Sequence, residues 1–205
     1  MTFVKALIST FTKRGILSMY QGSNKSALLS QKLISEALLK LLEEKSFNDI
    51  SVSDLCREAQ VSRQTFYSLF GTKENVIIYE LSNNCCYLPE ESATSCHSAM
   101  FRSFCEGYSR YIVDKRHIIS LLVRNDMIHF LYDVQYRSLM ECKYFISDVS
   151  DEKRIFIVDF ISSGMNSIAK NYILTGAKAD VGFLKKLMFS LYGGLYFKNF
   201  DNESA

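Results

Sequence analysis

The sequence predicts an all-α protein. Of its 205 residues only one is proline and nine are glycine, which favours long helices over short strands joined by many turns. Apolar residues recur at helical spacing along most of the chain, whereas the alternation with a period of two that is typical of strands is missing. Hydrophobic residues make up 48% of the chain, enough to build a sizeable core. We expect about nine helices.

The first 24 residues form an amino-terminal extension that the apolar pattern does not assign. In one interpretation translation begins at Met19, just ahead of a polar linker; in the other, the extension is an additional amphipathic helix. Residues 1–35 contain five lysines and arginines and no acid, the first carboxylate being that of Glu36. The net charge of the whole chain is only +2, so it is this local excess of positive charge that favours a polyanionic partner.

Three short helices with tight polar connections are predicted next. The first follows Ser30 as its N-cap, the second follows Ser51 and the third follows Ser62. Phe66 and Phe70, four residues apart, turn one side of the third helix towards the interior. Two helices joined tightly in this way are typical of a helix-turn-helix.

A fourth helix is predicted after Gly71, which we expect to be a left-handed helix stop, with Thr72 as N-cap. It should run to about Leu88, because Pro89 cannot continue it. Five further helices are predicted, at about residues 92–113, 115–123, 126–147, 151–174 and 180–197.

The side of the third helix opposite its phenylalanines has the composition of a DNA-reading surface. Arg63 can pair with guanine and Gln64 with adenine in the major groove, while Thr65 and Tyr67 can hold phosphates or touch a thymine methyl group. Lys73 adds a cation near the expected phosphates. The alternative interpretation is an ordinary helix corner with a solvated polar face.

Residues 30–80 resemble the amino-terminal domain of TetR/AcrR-type transcriptional regulators, through the pieces "SVSDL", "SRQTFY" and "FGTKE". The resemblance implies a helix-turn-helix DNA-binding domain at residues 25–76 and a larger helical effector and dimerisation domain at residues 77–205. The DNA-facing residues that it implies are Ser51, Ser53, Ser62, Arg63, Gln64, Thr65, Tyr67, Ser68 and Lys73. Two residues depart from the family pattern. Gln60 stands where glycine is usual, so we expect a strained backbone there, and Leu69 stands where histidine is frequent.

The carboxy-terminal part is similar, more weakly, to the Firmicutes-type effector domain of regulators of the dihydroxyacetone-kinase operon. The matching pieces are "DKRHIISLLVRNDMIHFLYD" and "FISSGMNSIAKNYILTGAKAD". This resemblance implies that the last two helices pair with their copies in a second subunit; packing inside one subunit is the alternative. The expected interface residues are Phe160, Gly164, Phe189, Tyr192 and Tyr196. Candidate contacts to a small-molecule effector are Arg116, Arg124, His129, Tyr132 and Asn166.

Several other classes of protein are disfavoured. The sequence has no glycine-rich phosphate loop, nucleophile elbow or paired-carboxylate pattern, so we expect neither an enzyme nor a cofactor. The cysteines at 85–86 and the Cys96–His97 pair fit no common zinc spacing, so no metal is expected. The most apolar later stretch contains Asp159 and Lys170 and is a poor membrane span. The expected location is the bacterial cytoplasm.

The functional prediction is a ligand-responsive repressor that binds double-stranded DNA as a homodimer on a near-palindromic operator. The alternative is a coactivator that keeps this fold without selecting a DNA sequence, and Gln60 and Leu69 are the two features that favour it.

Overall fold

The structure, a computed structural model, describes residues 19–83, 97–142 and 149–193. These residues contain nine α-helices, one short 3₁₀ turn and no strand, so the all-α prediction is confirmed. The helices are α1 (Lys25–Glu44), α2 (Val52–Glu58), α3 (Arg63–Leu69), α4 (Lys73–Ser82), α5 (His97–Asp114), α6 (Arg116–Arg124), α7 (His129–Glu141), α8 (Asp151–Leu174) and α9 (Val181–Tyr192), with the 3₁₀ turn at Phe47–Asp49. Among the described helices, none has the length and apolar character to cross a membrane.

The described residues divide into two compact units. The first contains residues 19–83 and 121–137, and the second contains residues 97–120, 138–142 and 149–193. Helices α6 and α7 therefore each have residues in both units. The sequence did not indicate that residues 121–137 would join the first unit, and the domain limits at 24/25 and 76/77 stay predictions.

Helix α1 begins six residues earlier than predicted. Asn24, not Ser30, is its N-cap, because the Asn24 side chain accepts a hydrogen bond from the backbone N–H of Ser26 at 2.9 Å. Asparagine caps a helix as well as serine does, and no breaker separates it from the apolar pattern. The predicted apolar stripe is buried and the helix contacts α2, α3 and α4.

The ends of the next three helices follow the predicted signals. Ser51 and Asp54 form a reciprocal capping box at the start of α2, Ser62 caps α3, and Thr72 caps α4. Gly71 has a φ of 71°, the left-handed conformation in which glycine meets no steric penalty. Helix α4 ends at Ser82, earlier than predicted, and residues 84–96, including Pro89, lie outside the described residues.

The chain immediately before α1 is part of the first unit. Met19 is only 8% exposed, and the buried side chain of Gln31 donates a hydrogen bond of 3.0 Å to the carbonyl oxygen of Tyr20. Residues 19–24 were predicted as part of an extension without an assigned structure. Their packing corrects that prediction for these six residues, while residues 1–18 lie outside the described part of the chain.

The connection between α6 and α7 also differs from the prediction. Helix α7 begins at His129 and not at Asp126, because Asp126 has a φ of 57° and this left-handed residue ends the preceding helix. Within the first unit, the Asn125 side chain accepts a hydrogen bond of 3.1 Å from the backbone N–H of Phe47. The Phe47 ring also meets the Phe130 ring edge-on at 6.5 Å between centroids. Residues 121–137 are thereby fixed to the 3₁₀ turn.

In the second unit, α5 packs along α9. Lys185 and Glu106 join these two helices through an ion pair of 2.6 Å, and the buried Tyr108 hydroxyl donates to the carbonyl oxygen of Met165 at 3.0 Å. Helix α8 starts near Asp151 and is followed by Gly176 with a φ of 87°, as predicted. The predicted apolar stripe of α9 is only partly buried, since Phe183 is 59% exposed.

Candidate nucleic-acid interface

Helix α3 has one buried side that fixes it to the rest of the first unit. Phe66 and Phe70 are fully buried and Leu69 is 4% exposed. The Phe70 ring packs edge-on against Tyr79 of α4, at 5.4 Å between centroids. The buried side chain of Asn75 donates a hydrogen bond of 2.6 Å to the carbonyl oxygen of Phe70. Apolar packing and polar contacts together therefore hold this helix against α4.

The opposite side of α3 is open to solvent. Arg63, Gln64 and Ser68 are exposed, and Tyr67 is 55% exposed while its ring rests edge-on against Phe66 at 5.4 Å between centroids. This contact fixes the direction of the Tyr67 ring. The result is a short helix with hydrogen-bonding side chains on one edge and a rigid apolar anchor on the other, the form that enters a major groove.

Two predicted contact residues, Ser51 and Ser62, lie at helix starts, where their hydroxyl groups act first as caps. The Ser51 hydroxyl binds Asp54, and this hydrogen bonding, more than any other cause, holds the pKa of the Asp54 carboxyl below its usual value. The Ser62 hydroxyl accepts from the Thr65 N–H at 3.0 Å and lies 2.8 Å from the Thr65 hydroxyl. The hydroxyls of Ser62 and Thr65 are thus held together, and contacts to DNA from these residues stay predictions.

Arg63 and Ser53 are brought together although they belong to different helices. The Arg63 guanidinium donates a hydrogen bond through Nη2 to the Ser53 hydroxyl. The sequence placed both residues on the DNA-facing surface but gave no sign of this contact.

Lys73 is engaged with the chain itself. Its ammonium group donates to the carbonyl oxygens of Phe47 at 2.5 Å and Ile50 at 2.9 Å, and lies 4.2 Å from the centroid of the Phe47 ring. Two carbonyls and an aromatic face hold this cation in place, so the structure differs from the expected phosphate contact.

The two departures from the family pattern have clear structural outcomes. Gln60, in the turn between α2 and α3, has a φ of 54°, so the expected left-handed conformation is present in a residue with a side chain. Leu69 is buried and faces the interior, so its side chain cannot reach a phosphate. Sequence reasoning missed Gln31, although this residue lies three positions before Ile34 on the buried stripe of α1.

The five candidate effector contacts have different surroundings. Arg124 donates a hydrogen bond of 2.9 Å to the carbonyl oxygen of Leu42 in α1, so it joins two parts of the first unit, and its contact to an effector stays a prediction. His129 packs on the ring of its neighbour Phe130, and Tyr132 stacks on Tyr136.

The other two candidates belong to the second unit. Arg116 lines an open cavity of about 550 Å³ together with His117, Ser120 and Ile173. The side-chain oxygen of Asn166 is buried and has no hydrogen-bond partner in the part of the chain that the structure describes. A common pocket for the five residues stays a prediction.

The predicted dimer-interface residues also have different surroundings within the single chain. Phe160 is 71% exposed, whereas Gly164 contacts Tyr192 of the same chain so closely that a Cβ at 164 would lie 2.6 Å from the Tyr192 hydroxyl oxygen. That hydroxyl donates to the carbonyl of Ile161 at 2.9 Å, and burial raises its pKa. Phe189 packs on Phe101.

The small residue at 164 therefore permits close packing of α8 and α9 within one chain, and its place in an interface between subunits stays a prediction. Tyr196 lies outside the described residues.

Comparison with known proteins shows what part of this chain is similar to. Residues 34–79 match the family described as "Bacterial regulatory proteins, tetR family". The HTH-type dhaKLM operon transcriptional activator DhaS of Lactococcus lactis subsp. lactis (strain IL1403) is 33% identical over 60 residues, which cover 29% of this chain and 32% of that protein. The sequence match thus spans about a third of that relative's length.

Two solved structures share the fold over most of the chain. One is the dihydroxyacetone kinase operon activator DhaS, with a TM-score of 0.51 and 21% identity over 83% of this chain and 96% of that one. The other is a TetR transcriptional regulator from Streptococcus agalactiae 2603V, with a TM-score of 0.54 and 20% identity over 82% of this chain and 96% of that one. At these identities the likeness shows the fold alone. The match to the tetR family thus covers residues 34–79, and over most of its length the chain is similar to these two regulators in fold.

Proposed function

We propose that this chain regulates transcription in the bacterial cytoplasm as a homodimer that binds a near-palindromic operator through α3. The observation that carries the proposal is the two-sided character of α3, with Phe66 and Phe70 fully buried and Gln64, Tyr67 and Ser68 exposed on the other side. A recognition helix works in this way because its apolar side fixes the orientation in which its polar edge meets the bases. The match of residues 34–79 to the tetR family of bacterial regulatory proteins supports the same conclusion.

Base reading in this proposal depends on the first two residues of α3. Arginine pairs with both O6 and N7 of guanine, and glutamine pairs with N6 and N7 of adenine, each worth about 1–3 kcal/mol of discrimination. Arg63 and Gln64 are therefore the proposed base readers. Tyr67 and Ser68, one turn further on, are proposed to contact the backbone or a thymine methyl group.

The experiment begins with selection of bound duplexes from a random pool by the full chain. We expect a near-palindrome whose half-sites lie one helical turn, about 34–36 Å, apart. Arg63→Ala and Gln64→Ala should each weaken binding of that duplex about 5- to 150-fold while the mass in solution stays that of a dimer. An unchanged affinity in both variants would show that α3 does not read bases.

Dimer formation is proposed through the exposed apolar side of α8. Phe156, Phe160 and Leu174 are 77%, 71% and 61% exposed and fall on one side of a helix with 3.6 residues per turn. Phe156 and Phe160, on neighbouring turns, form an exposed apolar patch, and such patches mark protein interfaces. A second copy of the same helix is its proposed partner, since symmetric homodimers are the commonest oligomers.

A small-molecule effector is proposed to act on the second unit. The Ser162 hydroxyl and the Asn166 side-chain oxygen lie on neighbouring turns of α8, are buried, and have no hydrogen-bond partner among the described residues. Buried polar atoms are nearly always hydrogen-bonded, so these two oxygens suit a polar ligand. Such a ligand would release DNA if it bound more tightly, by about 1–3 kcal/mol, to a dimer with the wrong spacing.

Repression is the proposed sign of regulation, because ligand-induced release then switches genes on. The name of the Lactococcus relative describes an activator, so the sign needs its own measurement. A reporter gene placed behind the selected operator should become more active when this chain is deleted. A fall in reporter activity would assign activation instead.

A coactivator without sequence-specific DNA binding is the second candidate. Two observations favour it: Leu69 is buried where a phosphate contact is frequent in the family, and Lys73 is bound to the chain's own carbonyl oxygens. A salt titration against the best selected duplex and a random duplex separates the two functions. A regulator keeps its preference as salt rises, whereas a coactivator shows only weak, steeply salt-dependent binding to both.

A further inference from the structure

We propose that Ser53 of α2 positions the Arg63 guanidinium for base reading, so that DNA specificity depends on a residue outside the recognition helix. The inference rests on the proposed function, in which Arg63 pairs with a base. In this inference Ser53 acts on DNA through Arg63. Its surface position alone would suggest an independent contact to a phosphate.

The contact crosses the turn between the two helices. Arg63 is the first residue of α3, and its Nη2 donates to the Ser53 hydroxyl of α2. Ser53 is half-buried while Arg63 is exposed, so the anchored end of the pair is on α2. This places a long flexible side chain against a helix whose own position is fixed by the buried Leu55 and Cys56.

A second observation also puts the positive charge of Arg63 next to α2. Burial raises the pKa of the Cys56 thiol, and the positive charge of Arg63 opposes that rise. Cys56 lies three residues after Ser53, one turn further along the helix. The guanidinium therefore lies beside α2, and does not extend freely into solvent from the start of α3.

The physical benefit is preorganisation. An arginine side chain has about 2 kcal/mol of rotamer entropy to lose when it is fixed on a base, and a contact formed before binding removes part of that loss. The remaining guanidinium N–H groups stay available for a guanine.

Gln64 provides an internal comparison. Its side chain is exposed and makes no hydrogen bond to another residue in the described part of the chain. The base read by Arg63 should therefore be selected more strictly than the base read by Gln64, because only Arg63 has an orientation fixed in advance.

The test is a double-mutant cycle with Ser53→Ala and Arg63→Ala. Affinities are measured for the selected operator and for a random duplex of equal length, with the full chain and over a series of salt concentrations.

Ser53→Ala should lower the ratio of operator to random affinity about 3- to 10-fold, the range of one hydrogen bond, and leave random-duplex affinity and the salt slope unchanged. In the Arg63→Ala background the same change should have no further effect, and Ser53→Thr should restore most of the ratio. Ser82→Ala, exposed at the end of α4, is the control for loss of an exposed hydroxyl group.

An equal loss of affinity for both duplexes in Ser53→Ala would overturn the inference, because it would indicate a direct phosphate contact. An equal loss of the affinity ratio with and without Arg63 would also overturn it. An unchanged ratio in Ser53→Ala would overturn it as well. Each of these leaves the proposed function standing, because the wild type still prefers its operator. If the wild type itself selects no duplex, the proposed function and this inference fail together. Thermal melting confirms that each variant is folded.

Discussion

The backbone N–H of Tyr20 donates a hydrogen bond of 2.9 Å to the carbonyl oxygen of Leu69, the last residue of α3. Tyr20 is held in turn by the side chain of Gln31 in α1, which is 1% exposed. The far end of the proposed recognition helix is thus tied to α1 through residues that precede the matched family segment 34–79. The first unit therefore includes more of the chain than that segment.

Replacement of Gln31 with alanine should destabilise the first unit. The change leaves the Tyr20 carbonyl without its partner and opens a small cavity, so we expect the free energy of unfolding to fall by about 1–3 kcal/mol. Lys32→Ala on the exposed side of the same helix removes only a surface ion pair with Glu36 and should cost less than about 1 kcal/mol. Urea unfolding followed by circular dichroism measures both. Equal losses in the two variants would show that the Gln31 hydrogen bond adds nothing.

What the sequence could predict here was local. The capping residues Ser51, Ser62 and Thr72 were identified because a cap and its partner lie within four residues of each other. The exposed edge of α3 followed from the spacing of Phe66 and Phe70, which is again a local property.

The contacts that the sequence did not indicate join distant parts of the chain. Lys73 was assigned to DNA, but its ammonium group binds carbonyls more than 20 residues earlier, and Arg124 binds the carbonyl of Leu42, 82 residues away. Gly164 was assigned to an interface between subunits, yet its close neighbour is Tyr192 of the same chain. A cation or a small residue in a sequence has no local pattern that separates these roles, so only the tertiary structure could decide.

Gln60 provides a prediction about backbone strain. Its φ of 54° is a left-handed conformation that costs a residue with a side chain about 1–2 kcal/mol, and glycine meets no such penalty. Because glycine also has more freedom in the unfolded chain, we expect Gln60→Gly to raise the free energy of unfolding by a net 0.5–1 kcal/mol, roughly.

The matched control is Gln64→Gly in the exposed first turn of α3, where glycine should lower stability by up to about 1 kcal/mol. Both changes are measured by urea unfolding. Destabilisation by Gln60→Gly would mean that the glutamine side chain makes a contribution larger than the strain.

Glu106 predicts how the second unit responds to acid. Hydrogen bonds from Lys185 and then Arg110 hold the pKa of this carboxyl at about 2. A carboxyl with a lowered pKa in the folded state stabilises the fold above its unfolded pKa of about 4.3, and this stabilisation is lost as the pH falls towards 2. The wild type should therefore lose stability across that window.

Glu106→Gln should show a smaller loss between pH 5 and pH 2 in a series of thermal melts at constant ionic strength. Glu44→Gln, an exposed carboxylate at the end of α1, is the control and should keep the wild-type pH profile. A Glu106→Gln profile as steep as that of the wild type would show that its ion pair is not maintained in solution.

The exposed side of α8 predicts how the dimer can be separated. Phe160 is 71% exposed in the single chain, so replacing it with glutamate should cost the monomer little. In a dimer that packs α8 against its copy, the same change would bury charge in an apolar contact, and the cost of an unpaired buried charge is several kcal/mol. We expect Phe160→Glu to be monomeric at concentrations where the wild type is dimeric, with an unchanged melting curve for the secondary structure of the first unit.

Operator affinity should fall about 100-fold or more, because each subunit must then bind its half-site alone. Lys25→Glu, exposed on α1 of the first unit, is the control for introducing a negative charge and should remain dimeric. Sedimentation equilibrium measures the mass of each variant; a Phe160→Glu dimer as stable as the wild type would place the subunit interface elsewhere.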